Sequence, residues 1–153
     1  MSTSLDGKIA FVTGSARGMG RSHALLLAER GADLIVHDVL EPDVAETAEM
    51  IRAKGRDVRS IVCDVRDVAA FQSAIRDMGR IDILVNNAGV GGQRLAFEDI
   101  DEETFDRMFQ VHVRGTFFAT QAVVPQMKER KAGKIVNTSS IFAMGGSPMA
   151  SHY

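Results

Sequence analysis

Thr13-Gly14-Ser15-Ala16-Arg17-Gly18-Met19-Gly20 places three glycines where a short apolar run ends and a helix-forming run begins. Such a turn can cradle phosphate. Gly14 allows a tight bend, Gly18 lets backbone amides approach a pyrophosphate, and Gly20 lets helix and strand pack closely, with the helix N-terminus supplying a positive field. Asp38 stands twenty residues after Gly18, at the close of the next apolar run. An acidic side chain there can accept hydrogen bonds from both hydroxyls of an adenosine ribose.

The elements that must hold these residues alternate along the chain. Ile9 to Thr13 (IAFVT) reads as a buried strand, and Gly18 to Arg30 as a helix stopped by Gly31. Asp33 to Asp38 is a second strand, and Asp43 to Lys54 a helix with Pro42 at its entry. Val58 to Cys63, a helix from about Asp67 to Asp77, and Ile81 to Val85 continue the pattern. A long helix is expected from Glu102 to Arg130, acidic at its start and basic at its end in accord with the helix dipole, and kinked by Pro125. Lys134 to Thr138 is the fifth strand, and Ser139 opens a loop rich in Gly, Ser and Pro. Strands and helices in alternation imply a parallel sheet with right-handed crossovers, a doubly wound α/β fold in one domain spanning residues 1–153.

These segments together resemble the short-chain dehydrogenase/reductase family, whose signature is TGxxxGxG. Asp38 closes strand two, Asp64-Val65 follows strand three, Asn86-Asn87-Ala88-Gly89 follows strand four, and Ser140 precedes Tyr153 by thirteen residues, all in the family's order. The resemblance covers essentially the whole chain and implies a Rossmann-type sheet that binds NAD(H) or NADP(H). By it, Gly14, Ser15, Arg17, Gly18, Met19 and Gly20 belong to the cofactor site. Asp64 is expected on the adenine amino group, Val65 on the ring, and Asn87, Ala88 and Gly89 along the nicotinamide ribose. The charge of Asp38 would repel a 2′-phosphate, while Arg17 stands where members preferring NADP often carry a basic residue. NAD is therefore favoured over NADP.

The resemblance also implies the chemistry, interconversion of a secondary alcohol and a ketone. Hydride transfer to a carbonyl needs an acid that delivers a proton to the developing alkoxide. Tyr153, the only tyrosine, takes that role in the family. A phenol ordinarily titrates near ~10, so nearby positive charge must help it act as a base. Ser140 is expected to hydrogen-bond the substrate oxygen. His112 stands where the family usually has an asparagine that holds a water, so it is a candidate proton relay, and Ala143 stands where glycine is usual. Cys63 reads as a buried strand residue rather than a nucleophile. The family's lysine lies four residues past the tyrosine, where this chain ends, so the chain is expected to be part of a longer polypeptide, truncated on its C-terminal side and inactive without that lysine, with strand five left as an apolar edge.

Composition narrows the remaining classes. The chain has 153 residues, 18 Lys plus Arg against 20 Asp plus Glu, and 45% hydrophobic residues. A net charge of -2 argues against a nucleic-acid partner, and no apolar run is long enough to span a membrane. One cysteine and no metal-spaced Cys/His set exclude a disulfide framework and structural zinc and make a cytoplasmic setting the default. Phe105, Phe109, Val113 and Phe117 form a helical stripe that would suit either the core or a homodimer or homotetramer interface. Phe142, Met144 and Met149 suggest an apolar pocket for a small or alicyclic alcohol or ketone. The alternative reading is a dinucleotide-binding sensor or scaffold without turnover.

Overall fold

Each apolar run bracketed by turn residues becomes a strand. In the computed structural model, which describes residues 4–92, 94–146 and 148–153, the strands are β1 (Ile9–Thr13), β2 (Asp33–Asp38), β3 (Val58–Val62), β4 (Ile83–Asn86) and β5 (Lys134–Asn137). All pair in parallel, in the order β3-β2-β1-β4-β5. Helices α1 (Gly18–Glu29), α2 (Glu41–Arg52) and α3 (Val68–Asp77) make the crossovers among the first four strands. Side chains alternate across a strand, so β1 feeds two cores. Ala10 and Val12 pack with Leu34, Val36, Val85 and the α2 residue Ile51, whereas Phe11 packs with Ile35, Leu84 and the α3 residues Phe71 and Ile75. Burial on both faces explains why β1, β2 and β4 read as continuous apolar runs. The fold is the Rossmann-type doubly wound sheet.

The expected long helix is divided. It runs as α4 (Glu102–Phe109), a π-helical turn at Gln110–Gly115, and α5 (Thr116–Glu129). Its buried positions Val111, Gly115, Ala119, Val123 and Met127 recur every four residues. That spacing overshoots a 3.6-residue turn, and one wider turn takes back the excess so that the stripe stays on the sheet. Pro125 lies inside α5. Helix α2 begins two residues earlier than expected, with Pro42 in its first turn. Strand β4 begins at Ile83 rather than Ile81; the preceding Asp82 is joined to β1 by its N–H, donating to the Ile9 carbonyl at 2.8 Å, and by its carboxylate, which accepts the Ile9 N–H at 3.0 Å. The loop after β5 contains a short helix, α6 (Phe142–Gly145). Strand β5 leaves Ile135 and Val136 exposed.

Candidate active site

The strand order reverses between β1 and β4, and loops from the C-terminal ends of all five strands gather there, the position at which open α/β sheets bind ligands. Thr13 holds the split. Its hydroxyl accepts the N–H groups of Asn87 at 3.0 Å and Ala88 at 2.9 Å, joining the end of β1 to the loop after β4. The Asn87 amide nitrogen donates to the Thr13 and Gly14 carbonyls, both at 3.1 Å.

Gly14 and Gly20 are demanded by this closeness. Gly14 sits at φ +64°, and a Cβ on it would lie 2.7 Å from the Ala88 Cα. A Cβ on Gly20 would overlap the Gly14 carbonyl oxygen. Gly18, at φ +57°, faces open space, the side on which turn amides can meet phosphate. Arg17 is the N-cap of α1 with extended backbone, and both Arg17 and Met19 are exposed beside the turn. Ser15 is fully buried; its hydroxyl accepts the His37 N–H at 2.8 Å. Its N–H in turn donates to the His37 carbonyl at 2.8 Å, so Ser15 holds the turn and offers no free donor to a ligand.

Asp38 projects at the end of β2. Its two carboxylate oxygens accept the Ala16 N–H at 3.3 Å and the Val39 N–H at 2.8 Å, which orients the acid toward the turn and leaves further lone pairs open. At the end of β3, Arg66 grips Asp64 with Nε at 2.9 Å and Nη2 at 2.7 Å. That pairing, aided by the Arg66 N–H, holds the Asp64 carboxyl below the usual carboxylate range. Val65 is buried and packs against Gly115, while also lining the same cleft as Asp38, Asp64, Ala88 and Gly89, about 170 Å³ in volume. Burial, reinforced by Asp64, pushes the Cys63 thiol up to about 11, which keeps it protonated and unreactive near neutral pH.

The residues present fit a nicotinamide dinucleotide. Gly14 and Gly20 let the turn close tightly on Ala88 and on itself, Gly18 faces open space, Asp38 offers ribose acceptors, and the buried Asn87 Oδ1 has no partner within the protein. Among the described residues, no group of three metal-capable side chains exists.

Of the catalytic candidates, His112 lies against Gly89, and ring contacts link it to Tyr153 and Tyr153 to Phe142. Ser140 accepts the Phe142 N–H at 3.2 Å, and the Phe142 ring meets the Tyr153 ring at 6.0 Å. No hydrogen bond joins Ser140 to Tyr153 among the described residues; Phe142 links them. Tyr153 is half-exposed, and the loop before it is tied back by Leu95 N–H donating to the Met149 carbonyl at 3.0 Å. His112 lies in the π-helical turn, its Nε2 3.1 Å from the Val90 nitrogen and 3.0 Å from the Val90 oxygen. Its ring covers Gly89, where a Cβ would come within 2.7 Å of Cε1. Only Nδ1 of His112 is left for a relay. Sequence reasoning assigned no role to Thr13 and passed over His37, although a lone polar residue inside the buried run LIVHD must find partners.

A model of the short chain dehydrogenase family matches residues 8–153. A putative short-chain type dehydrogenase/reductase of Mycolicibacterium smegmatis is 35% identical over 100% of this chain and 61% of its own length. The trans-4-hydroxycyclohexanecarboxylate dehydrogenase of Sinomonas cyclohexanicum is 40% identical over 91% of this chain and 57% of its own. The chain thus spans about three fifths of these relatives. Carveol dehydrogenase from Mycobacterium avium in complex with NAD superposes with a TM-score of 0.91 at 35% identity, covering 99% of this chain and 61% of that one. Gluconate 5-dehydrogenase from Burkholderia cenocepacia J2315 in complex with NADP and tartrate gives 0.92 at 35% identity, with the same coverages. No helix among the described residues is long and apolar enough to cross a membrane. With its glycine turn, its switch-point cleft and these likenesses, the chain belongs to the short-chain dehydrogenase family.

Proposed function

We propose that this site interconverts a secondary alcohol and a ketone with NAD, Tyr153 serving as acid and base. The observation that carries the reading is that the His112 ring covers Gly89, which lines the cleft that also holds Asp38, and meets the ring of Tyr153, which in turn meets Phe142. When bound, the nicotinamide supplies the hydride for reduction or accepts it in oxidation. Tyr153 Oη gives its proton to the carbonyl oxygen in reduction and takes the alcohol proton in oxidation. Ser140 Oγ holds that same oxygen near the phenol. His112, its Nε2 engaged at Val90, would relay protons through Nδ1.

Asp38 supports NAD over NADP, because a carboxylate already oriented by two backbone amides offers acceptors to ribose hydroxyls and repels a phosphate. Gly18, Met19 and Arg17 flank the pyrophosphate path, and Asn87 and Ala88 the nicotinamide ribose. Exposed Phe142, Met144 and Met149 suit an apolar ring, and a relative named for a hydroxycyclohexane acid supports a small alicyclic substrate. The exposed stripe of Phe105, Phe109, Val113 and Phe117 is the surface through which a homodimer or homotetramer would form.

The experiment is NAD reduction by the full native polypeptide against a panel of cyclic and acyclic secondary alcohols, with NAD binding measured in parallel. Turnover with at least one alcohol is expected. Tight NAD binding with no turnover across the panel would instead identify a dinucleotide-binding sensor or scaffold.

A further inference from the structure

Four histidines occur in the chain, and His37 differs from two other partly or fully enclosed ones in how its ring is used. The His23 Nδ1 and both His152 nitrogens are buried without partners. Both His37 nitrogens are engaged. Nδ1 lies 3.4 Å from the Gly14 N–H, and Nε2 lies 3.1 Å from the Cys63 carbonyl oxygen. A carbonyl can only accept, so Nε2 carries the proton and Nδ1 accepts from Gly14. The ring is held between Phe11, edge-on at 6.1 Å, and Phe71, tilted at 4.9 Å. The backbone of His37 is also engaged, its carbonyl accepting the Ser15 N–H at 2.8 Å.

We propose that His37 is the positioning residue of the dinucleotide site, a neutral strut that sets the spacing between the glycine turn and the acidic ends of β2 and β3. This rests on the dinucleotide reading of the cleft. Gly14 opens the phosphate turn, Asp38 follows His37 directly, and Asp64 follows Cys63 directly, so one rigid ring touches the backbone of each segment that would grip the adenosine half. Few side chains can do this. The site needs an acceptor toward Gly14 and a donor toward Cys63, on a plane flat enough to lie between two phenyl rings. Protonation would set a second donor against the Gly14 N–H, and burial disfavours it. A phenylalanine would fill the space and keep the ring contacts with Phe11 and Phe71 but lose both hydrogen bonds. An asparagine can place its carbonyl where Nδ1 stands, and a glutamine its amide nitrogen where Nε2 stands.

The test is NAD binding by calorimetry, with steady-state kinetics and melting temperature, on the native protein and on His37→Phe, His37→Asn and His37→Gln. His37→Phe is expected to weaken NAD binding on the order of tenfold, as loss of a hydrogen-bonded contact predicts, raising KM for NAD while changing kcat less than twofold. His37→Asn is expected to recover most of that affinity, and His37→Gln less, because the Gly14 contact sets the turn. A merely structural role would lower the melting temperature in all three without this ranking. Binding within twofold of the native protein in His37→Phe overturns the proposal. If that variant does not fold, equal or reversed affinities of the Asn and Gln variants overturn it. A native protein that binds neither NAD nor NADP would instead overturn the dinucleotide reading itself.

Discussion

His112 and Tyr153 meet edge to face, their ring centroids 5.4 Å apart and their planes at 83°, while the His112 Nε2 is held on the backbone of Val90. One imidazole thus touches the phenol, covers Gly89 and fastens the loop after β4. The contact couples the candidate acid to the loop after β4, which lines the cleft.

If His112 passes protons to Tyr153, replacing it slows proton transfer. His112→Asn is expected to lower kcat while leaving NAD affinity within about threefold, about 0.7 kcal/mol. Steady-state rates with NAD binding measured in parallel test this; an unchanged kcat would show that His112 only braces Val90.

In the proposed function, Asp38 sets the cofactor choice through charge. Asp38→Asn is expected to lower the preference for NAD over NADP by about tenfold or more, since removing a buried or half-buried like charge near a phosphate relieves about 1–2 kcal/mol of repulsion. The ratio of kcat/KM with the two cofactors measures it. An unaltered ratio would move the discrimination to Arg17 or elsewhere on the turn.

Most of the fold was legible because its strands are short apolar runs closed by glycine or aspartate, as IAFVT before Gly14 shows. Burial on both faces writes that pattern directly. The π-helical turn at Gln110–Gly115 left no mark, since a stripe with spacing four satisfies an ordinary helical pattern almost as well. The glycine turn and Asp38 were candidates from spacing, and Asp64, Val65 and Asn87 to Gly89 from the family resemblance, whereas the roles of Thr13 and His37 depend on which backbone groups β4 and β3 bring beside them. Those pairings are long-range, and local patterns do not carry them. Ser15 shows the reverse case, a residue inside the turn motif whose side chain serves the scaffold.

Burial, set only partly against the nearby charge of Asp38, lowers the His37 pKa from 6.5 to about 4. The unfolded chain takes up this proton below about 6.5, and the folded chain refuses it until about 4. Stability from this group is therefore fully present above pH 6.5 and is lost as pH falls toward 4, by about 2 kcal/mol at pH 5. The unfolding free energy from urea titrations should fall by that amount more between pH 7 and pH 5 for the native protein than for His37→Asn. Parallel pH dependence in both proteins would contradict it.

Phe105 and Phe109 stack at 4.5 Å yet remain 45% and 44% exposed, and Val113 and Phe117 are 57% and 60% exposed. Such a stripe on one helical face is costly in water. A scattering mass of two or four chains is expected for the native protein, reduced to fewer chains by Phe117→Asp. A monomer at every concentration would remove the oligomer from the account.

The central claim is that Tyr153 moves the proton while Ser140 holds the substrate oxygen. The most direct measurement is the single-turnover rate of NAD reduction, with an alcohol that the native polypeptide oxidises, in Tyr153→Phe, alongside NAD binding to the same variant. The account predicts a rate lowered about 10²–10⁴-fold, the range for loss of a general acid or base, with NAD affinity changed less than threefold. A Tyr153→Phe variant that turns over within tenfold of the native rate would contradict it.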